Sequence, residues 1–89
     1  MIVVYNVYKN KKGKASITVQ CSGDDTEAVK IRDDFEIKHE KKHEDIANDF
    51  AAFINNRSGI RLIGDIEKRG KALRLEAEIE SGGTSEQRQ

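Results

Sequence analysis

The fold is decided by residues 38–57, KHEKKHEDIANDFAAFINNR, because the apolar residues of this segment repeat with a helical period. Steps of three and four residues place them on one stripe of a helix, formed by Ile46, Phe50, Phe53 and Ile54. The acidic residues near the start of the segment and Arg57 at its end complement a helix dipole. The pattern therefore predicts an amphipathic helix over residues 39–57.

Strands are predicted on both sides of this helix. Residues 2–9 are rich in β-branched and aromatic side chains, and residues 15–21 alternate apolar with polar side chains. The loop between them ends at Gly13, which suits a hairpin turn that needs a left-handed residue. Residues 60–66 and 73–79 alternate in the same way around a turn at Gly70, so a second hairpin follows the helix.

Residues 27–37 allow two interpretations. A strand fits the alternation of Val29, Ile31, Phe35 and Ile37 if Asp33 takes an inward or bulged position. The alternative is a helix that begins at Asp25. We expect the strand, because a helix from 25 to 57 would be very long for a chain of 89 residues.

The predicted fold is α+β, with the order β-β-β-α-β-β and one amphipathic helix packed on one face of an antiparallel sheet. We expect residues 1–80 to form a single domain and residues 81–89, which contain no apolar side chain, to form a flexible tail. A chain of this size buries only ~60–65% of its unfolded surface, so a large active-site cleft is not expected. The open edges of such a sheet favour a homodimer.

The composition indicates where in the cell the protein is expected and which kinds of partner it is expected to bind. The single cysteine, Cys21, excludes an intrachain disulfide, and no stretch approaches the ~20 apolar residues of a membrane span. The N-terminal run Ile2–Tyr5 is too short for a signal peptide. We expect a cytoplasmic protein without a membrane partner. The net charge of zero argues against a general polyanion binder and leaves room for a local charged patch.

Basic residues cluster at the two predicted hairpin turns. The first turn reads KKGKA at residues 11–15, and the second reads KRGKA at residues 68–72. Counting chain reversals places both turns at the end of the sheet where the helix begins. We predict a partner-binding surface there, made of Lys11, Lys12, Lys14, Lys68, Arg69 and Lys71. The alternative interpretation is that these side chains only deter aggregation.

The predicted helix also contains HEKKH, with His39 and His43 spaced as two zinc ligands and Glu40 as a candidate general base. The two central lysines place cations beside any metal, and no third ligand stands at a recognisable spacing. We therefore expect two histidines at the rim of the helix, no metal or other cofactor, and no enzymatic activity. Tyr5 and Tyr8 are predicted on opposite faces of the first strand.

These observations rank three functions. The first is a small non-enzymatic interaction protein that binds a macromolecular partner, which we expect to be a protein. A more specific form of this hypothesis is that binding inhibits the partner. Compact domains without a catalytic signature are often accessory or inhibitor proteins of phages and mobile elements, which is an argument from base rates alone. The second is a nucleic-acid-binding module that uses the basic turns. The third, more remote, is a zinc hydrolase built on His39, Glu40 and His43.

Overall fold

The computed structural model describes residues 1–80 and contains six elements in the order β-β-α-α-β-β. They are β1 Ile2–Lys9, β2 Ala15–Cys21, α1 Thr26–Asp34, α2 His43–Asn55, β3 Ile60–Arg69 and β4 Ala72–Ile79. The predicted α+β class, the antiparallel sheet and both hairpins are confirmed. The tail predicted at residues 81–89 lies outside the described residues.

The sheet has four strands in the order β2-β1-β4-β3, and every neighbouring pair is antiparallel. The two hairpins therefore lie side by side, with β1 and β4 in the centre. Tyr8, near the end of β1, pairs with Ala72 at the start of β4. The turn that follows β1 and the turn that precedes β4 consequently lie at the same end of the sheet.

The strand predicted over residues 27–37 is wrong, because residues 26–34 form α1. The Asp24 carboxylate accepts hydrogen bonds from the hydroxyl and the backbone N–H of Thr26, at 2.6 and 2.9 Å, which fixes the turn before the helix. The same two bonds lower the pKa of the Asp24 carboxyl. Ala28 and Ile31 are fully buried three residues apart, as a helical period requires.

The single long helix that argued against this alternative does not form, because the backbone becomes extended at Phe35, with ψ 127°. Extension brings the Phe35 ring against Phe50 and Phe53, at centroid distances of 5.0 and 5.4 Å. The second helix begins at His43, four residues later than predicted. Within residues 1–80, neither helix has the length and apolar character needed to cross a bilayer.

The core lies between one face of the sheet and the two helices. Its largest fully buried side chains are Val3, Tyr5, Val7, Ile31, Ile46, Phe50, Ile54 and Leu75. The Tyr5 ring meets Phe50 edge to face, with centroids 4.9 Å apart, and the Tyr5 hydroxyl donates to the Ala28 carbonyl at 2.8 Å. One side chain of β1 therefore contacts both helices.

The two edges of the sheet differ. On β2, the Ala15 N–H donates to His39 Nδ1 at 2.9 Å, and the Ile17 carbonyl accepts from the Arg32 guanidinium at 3.3 Å. On β3, the register shifts around Gly64, whose φ is 69°. Such a shift bends an edge and interrupts its row of free backbone groups. A homodimer formed through the β3 edge, as expected from the sequence, would therefore have fewer free backbone N–H and C=O groups to pair than a regular edge strand provides.

Replacing Phe50 by alanine should lower the free energy of unfolding by about 3–5 kcal/mol, because a fully buried aromatic side chain is removed from the centre of the core. Lys42→Ala is the control, since Lys42 is exposed and its side chain makes no capping hydrogen bond. The control should change stability by less than ~0.5 kcal/mol. Denaturant unfolding measures both variants, and equal midpoints would contradict the assignment of the buried stripe.

Burial raises the pKa of Tyr5 from 10.0 to about 12. The folded state therefore favours the protonated phenol, and the associated stabilisation is complete below pH 10 and lost as the pH rises toward 12. Ultraviolet titration of the Tyr8→Phe variant, in which Tyr5 is the remaining tyrosine, should give a phenolate midpoint near 12. A midpoint near 10 in the folded variant would show that Tyr5 is not buried.

Candidate functional site

Both basic turns lie at one end of the sheet, which we call the cationic end. The start of α2 lies there too, because the Lys9 ammonium donates to the Lys41 carbonyl. The helix α1 runs toward this end from the opposite one, since Ala28 bonds to Tyr5 and Arg32 bonds to Ile17. The helix α1 thus runs in the same direction that the predicted strand over residues 27–37 would have taken. For this reason the two basic turns still share an end, although residues 26–34 are helical.

Three of the six predicted site residues meet in one groove of about 480 Å³. Lys11 and Lys14 come from the first turn, and Lys71 comes from the second. We call this feature the lysine groove; it is lined by these three lysines together with Tyr8, Lys9, Asn10, Ala15 and Ser16. Among residues 1–80, no acidic side chain lines it. The groove therefore spans the junction of the two hairpins, and its charged lining residues are all lysines.

The other three predicted residues have different environments. Lys68 lines a neighbouring groove on the helix side, where Glu44 makes the charge mixed. The Arg69 guanidinium lies 3.2 Å from the Glu67 carboxylate and is already compensated. Lys12 is exposed at the tip of the first turn, outside the lining of both grooves. The six residues share an end of the molecule without forming a single site.

Ion pairing distinguishes the cationic end from the rest of the surface. Every arginine of residues 1–80, and also Lys30, Lys38 and Lys41, lies within 4.0 Å of a carboxylate. The lysines without such a partner in the described part of the chain all lie at the cationic end: Lys9, Lys11, Lys12, Lys14, Lys42, Lys68 and Lys71. Positive charge that no carboxylate of residues 1–80 compensates is therefore concentrated there.

Asn10 organises the first basic turn. Its side-chain oxygen accepts from the backbone N–H groups of Lys12 and Lys14, at 2.9 and 3.0 Å. Its own backbone donates to the Lys14 carbonyl and accepts from the Gly13 N–H. The sequence pointed to Gly13, whose φ is 86°, whereas the role of Asn10 was missed. The available signal was an asparagine at the first position of the loop, where its side chain can bond to backbone two residues on.

The two histidines bind backbone groups at the cationic end and do not share a helix face. His39 precedes α2, and its Nδ1 accepts from the Ala15 N–H. His43 Nε2 lies 2.6 Å from the Val7 carbonyl, and because a carbonyl only accepts, this nitrogen carries a proton and donates. The helical pairing predicted for HEKKH is therefore wrong. Within residues 1–80, no group of three or more His, Cys, Asp or Glu side chains is placed to hold a metal.

Tyr8 presents an exposed aromatic ring in the lysine groove, with 38% of the residue accessible. Its cross-strand neighbours are small, Ser16 on one side and Ala72 on the other, so neither covers the ring. Tyr5 is fully buried on the opposite face of β1, which confirms the predicted separation of the two tyrosines. Of the remaining aromatic rings, Phe50 belongs to the buried core, and Phe35 and Phe53 are partly buried against it.

Comparison with known proteins identifies no relative of this chain. No protein-family model matches it, and neither curated proteins nor solved structures give a match. Functional inference therefore depends on the geometry of the cationic end.

Replacing Asn10 by alanine should loosen the first basic turn, because two backbone N–H groups lose their acceptor. Amide hydrogen exchange at Lys12 and Lys14 should accelerate by about tenfold, the equivalent of roughly 1.4 kcal/mol for a lost hydrogen bond. Asn10→Asp keeps an acceptor oxygen at the same position and should retain slow exchange. Equal exchange in the wild type and in Asn10→Ala would show that the side chain does not hold the turn.

Proposed function

We propose that this protein is an interaction protein that binds an acidic surface of a protein partner through the cationic end. The supporting observation is the distribution of ion pairs. Every arginine of residues 1–80 has a carboxylate beside it, whereas the lysines that lack one are gathered at a single end. Like charges held close together repel each other, and a partner with opposite charge relieves that repulsion.

The position of the lysines favours binding over the alternative that they only deter aggregation. Lysines that protect a sheet are expected along its edge strands, where free backbone groups attract other chains. Here Lys11, Lys14 and Lys71 lie on the two hairpin turns, beyond the ends of the strands, and line one groove. The edges are covered or interrupted by other means, through His39 and Arg32 on β2 and the register shift on β3.

A protein partner fits this surface better than a long nucleic acid does. The uncompensated cations are confined to one end, while the arginines that could extend contacts along a phosphate backbone are paired with carboxylates. Glu44 lines the helix-side groove and limits the extent of positive surface. A short acidic patch on a protein matches such a small surface. Covering a functional acidic patch is the means by which binding would inhibit the partner.

Nucleic-acid binding is the second candidate, and the exposed ring of Tyr8 favours it. A base stacked on an aromatic side chain with phosphates on nearby lysines is a common arrangement in proteins that bind single strands. Tyr8 lies in the lysine groove beside Lys11, Lys14 and Lys71. Only one exposed ring is present among the described aromatic residues, whereas such proteins usually offer several.

Reversing two charges of the lysine groove, Lys14→Glu with Lys71→Glu, should abolish retention of the partner while leaving the fold intact, because both side chains are exposed at turns. The matched control is Lys30→Glu with Arg61→Glu, which changes the net charge equally on exposed side chains away from the cationic end. Immobilised wild type and both variants are exposed to lysate of the source organism, and retained proteins are quantified by mass spectrometry. We expect an acidic protein that the wild type and the control retain, less strongly as salt increases.

Circular dichroism and thermal melting confirm that both variants are folded before binding is compared. Retention of the same protein by the groove variant would show that the lysine groove is not the binding surface. A labelled single-stranded oligonucleotide is tested in parallel. If the wild type binds it, the groove variant does not, and no acidic protein is retained, the second candidate replaces the first.

A further inference from the structure

The positive charge of the lysine groove exceeds the negative charge of a single carboxylate. Lys11, Lys14 and Lys71 line it, and no carboxylate of residues 1–80 lies within 4.0 Å of their ammonium groups. A carboxylate carries one negative charge on two oxygens. A phosphate monoester carries a charge of about −1.5 to −2 at pH 7 and has three strong acceptor oxygens. Three lysines that line one groove match the phosphate more closely.

Neutral donors complete the lining. Tyr8 and Ser16 are paired across β1 and β2, so their side chains lie on the same face of the sheet, and both line the groove. Each hydroxyl can donate one hydrogen bond to an anionic oxygen, which adds direction to the attraction of the lysines. The exposed Tyr8 ring also provides an apolar surface for the group that carries the phosphate.

The backbone that carries these side chains is already ordered. Four hydrogen bonds made by Asn10 hold the turn that bears Lys11 and Lys14. Lys71 follows Gly70 in a turn of two residues closed by the pairing of Arg69 with Ala72. Binding therefore has to order lysine side chains and not the loops that carry them, which reduces its entropic cost.

We propose that the lysine groove binds a phosphate monoester, and that the natural source of this group is a phosphorylated side chain of the protein partner. This inference rests on the proposed function and names the group that the partner presents. The ammonium groups of Lys11, Lys14 and Lys71 contact the phosphoryl oxygens, while the side chain that carries the phosphate lies along Tyr8.

The test uses amide ¹H–¹⁵N spectra of the full chain at pH 7.5 and 0.15 M salt. Four probes are titrated: a short peptide with one phosphotyrosine, the same peptide with tyrosine, the same peptide with glutamate at that position, and inorganic phosphate. The phosphopeptide should shift the amides of Lys11, Lys14 and Lys71 and bind about fivefold or more tightly than the glutamate peptide. Equal affinity for the glutamate and phosphotyrosine peptides would overturn the proposal.

Alanine variants locate the site. Lys14→Ala and Lys71→Ala should each weaken phosphopeptide binding by about fivefold, the loss expected for an exposed charge contact. Lys12→Ala is the matched control, because Lys12 belongs to the same turn and lies outside the groove. It should change affinity by less than about twofold. Equal losses in all three variants would indicate a general charge effect and would overturn the assignment to the groove.

Lowering the pH to 5.0 distinguishes binding of a phosphate from binding of a carboxylate. The second pKa of a phosphate monoester is about 6, so the phosphopeptide loses about one charge, whereas a glutamate, with a pKa of about 4.3, stays mostly ionised. The advantage of the phosphopeptide should therefore shrink. A change in the protein itself at pH 5.0 acts on the binding of both peptides, so the glutamate peptide is the control for it. An advantage that is unchanged at pH 5.0 would contradict recognition of the dianion.

The remaining outcomes separate this inference from the proposed function. If no phosphate probe shifts the groove amides while the Lys14→Glu, Lys71→Glu variant still loses its protein partner, the phosphate proposal fails and the interaction function stands. Inorganic phosphate that binds as tightly as the phosphopeptide would overturn the partner's side chain as the source. A single-stranded oligonucleotide that binds more tightly through the same lysines would overturn it in favour of nucleic acid.

Discussion

The contacts of Tyr5 hold the two helices to the sheet. A hydroxyl buried without a partner is costly, and the Tyr5 hydroxyl meets this requirement by donating to the Ala28 carbonyl of α1. The ring of the same residue packs edge to face on Phe50 of α2. Through the hydrogen bond to α1 and the ring contact with α2, one residue of a central strand links both helices to the sheet.

The cationic end follows from this arrangement. With α2 held along the sheet, His43 bonds to the Val7 carbonyl, and the segment before it brings the Lys41 carbonyl to the Lys9 ammonium. The lysines of the two turns then lie near the start of α2. At physiological ionic strength the screening length is about 8 Å, so lysines that share a groove still repel each other.

The error at residues 27–37 has a physical cause. Val29, Ile31, Phe35 and Ile37 satisfy a period of two, and the same residues also fit one helix followed by an extended segment. The choice depends on where Ala28 and Phe35 find partners, and these partners are Tyr5 and Phe50, far away in the chain. Local periodicity contains no record of such distant contacts. The prediction that His39 and His43 share one helix failed for the same reason. His39 lies before the start of α2, and its ring accepts a hydrogen bond from the distant Ala15 N–H.

The sequence by itself determined the elements whose side chains repeat regularly: the stripe on α2, the four strands and the opposite faces of Tyr5 and Tyr8. These patterns depend on neighbours within a few residues, so they are readable without a structure. Only the tertiary structure decided the strand order β2-β1-β4-β3, the identity of α1, and which basic residues share a groove. Lys14 and Lys71 are far apart in the chain and line one groove because β1 pairs with β4. That pairing arises from long-range burial of the core, which no local pattern contains.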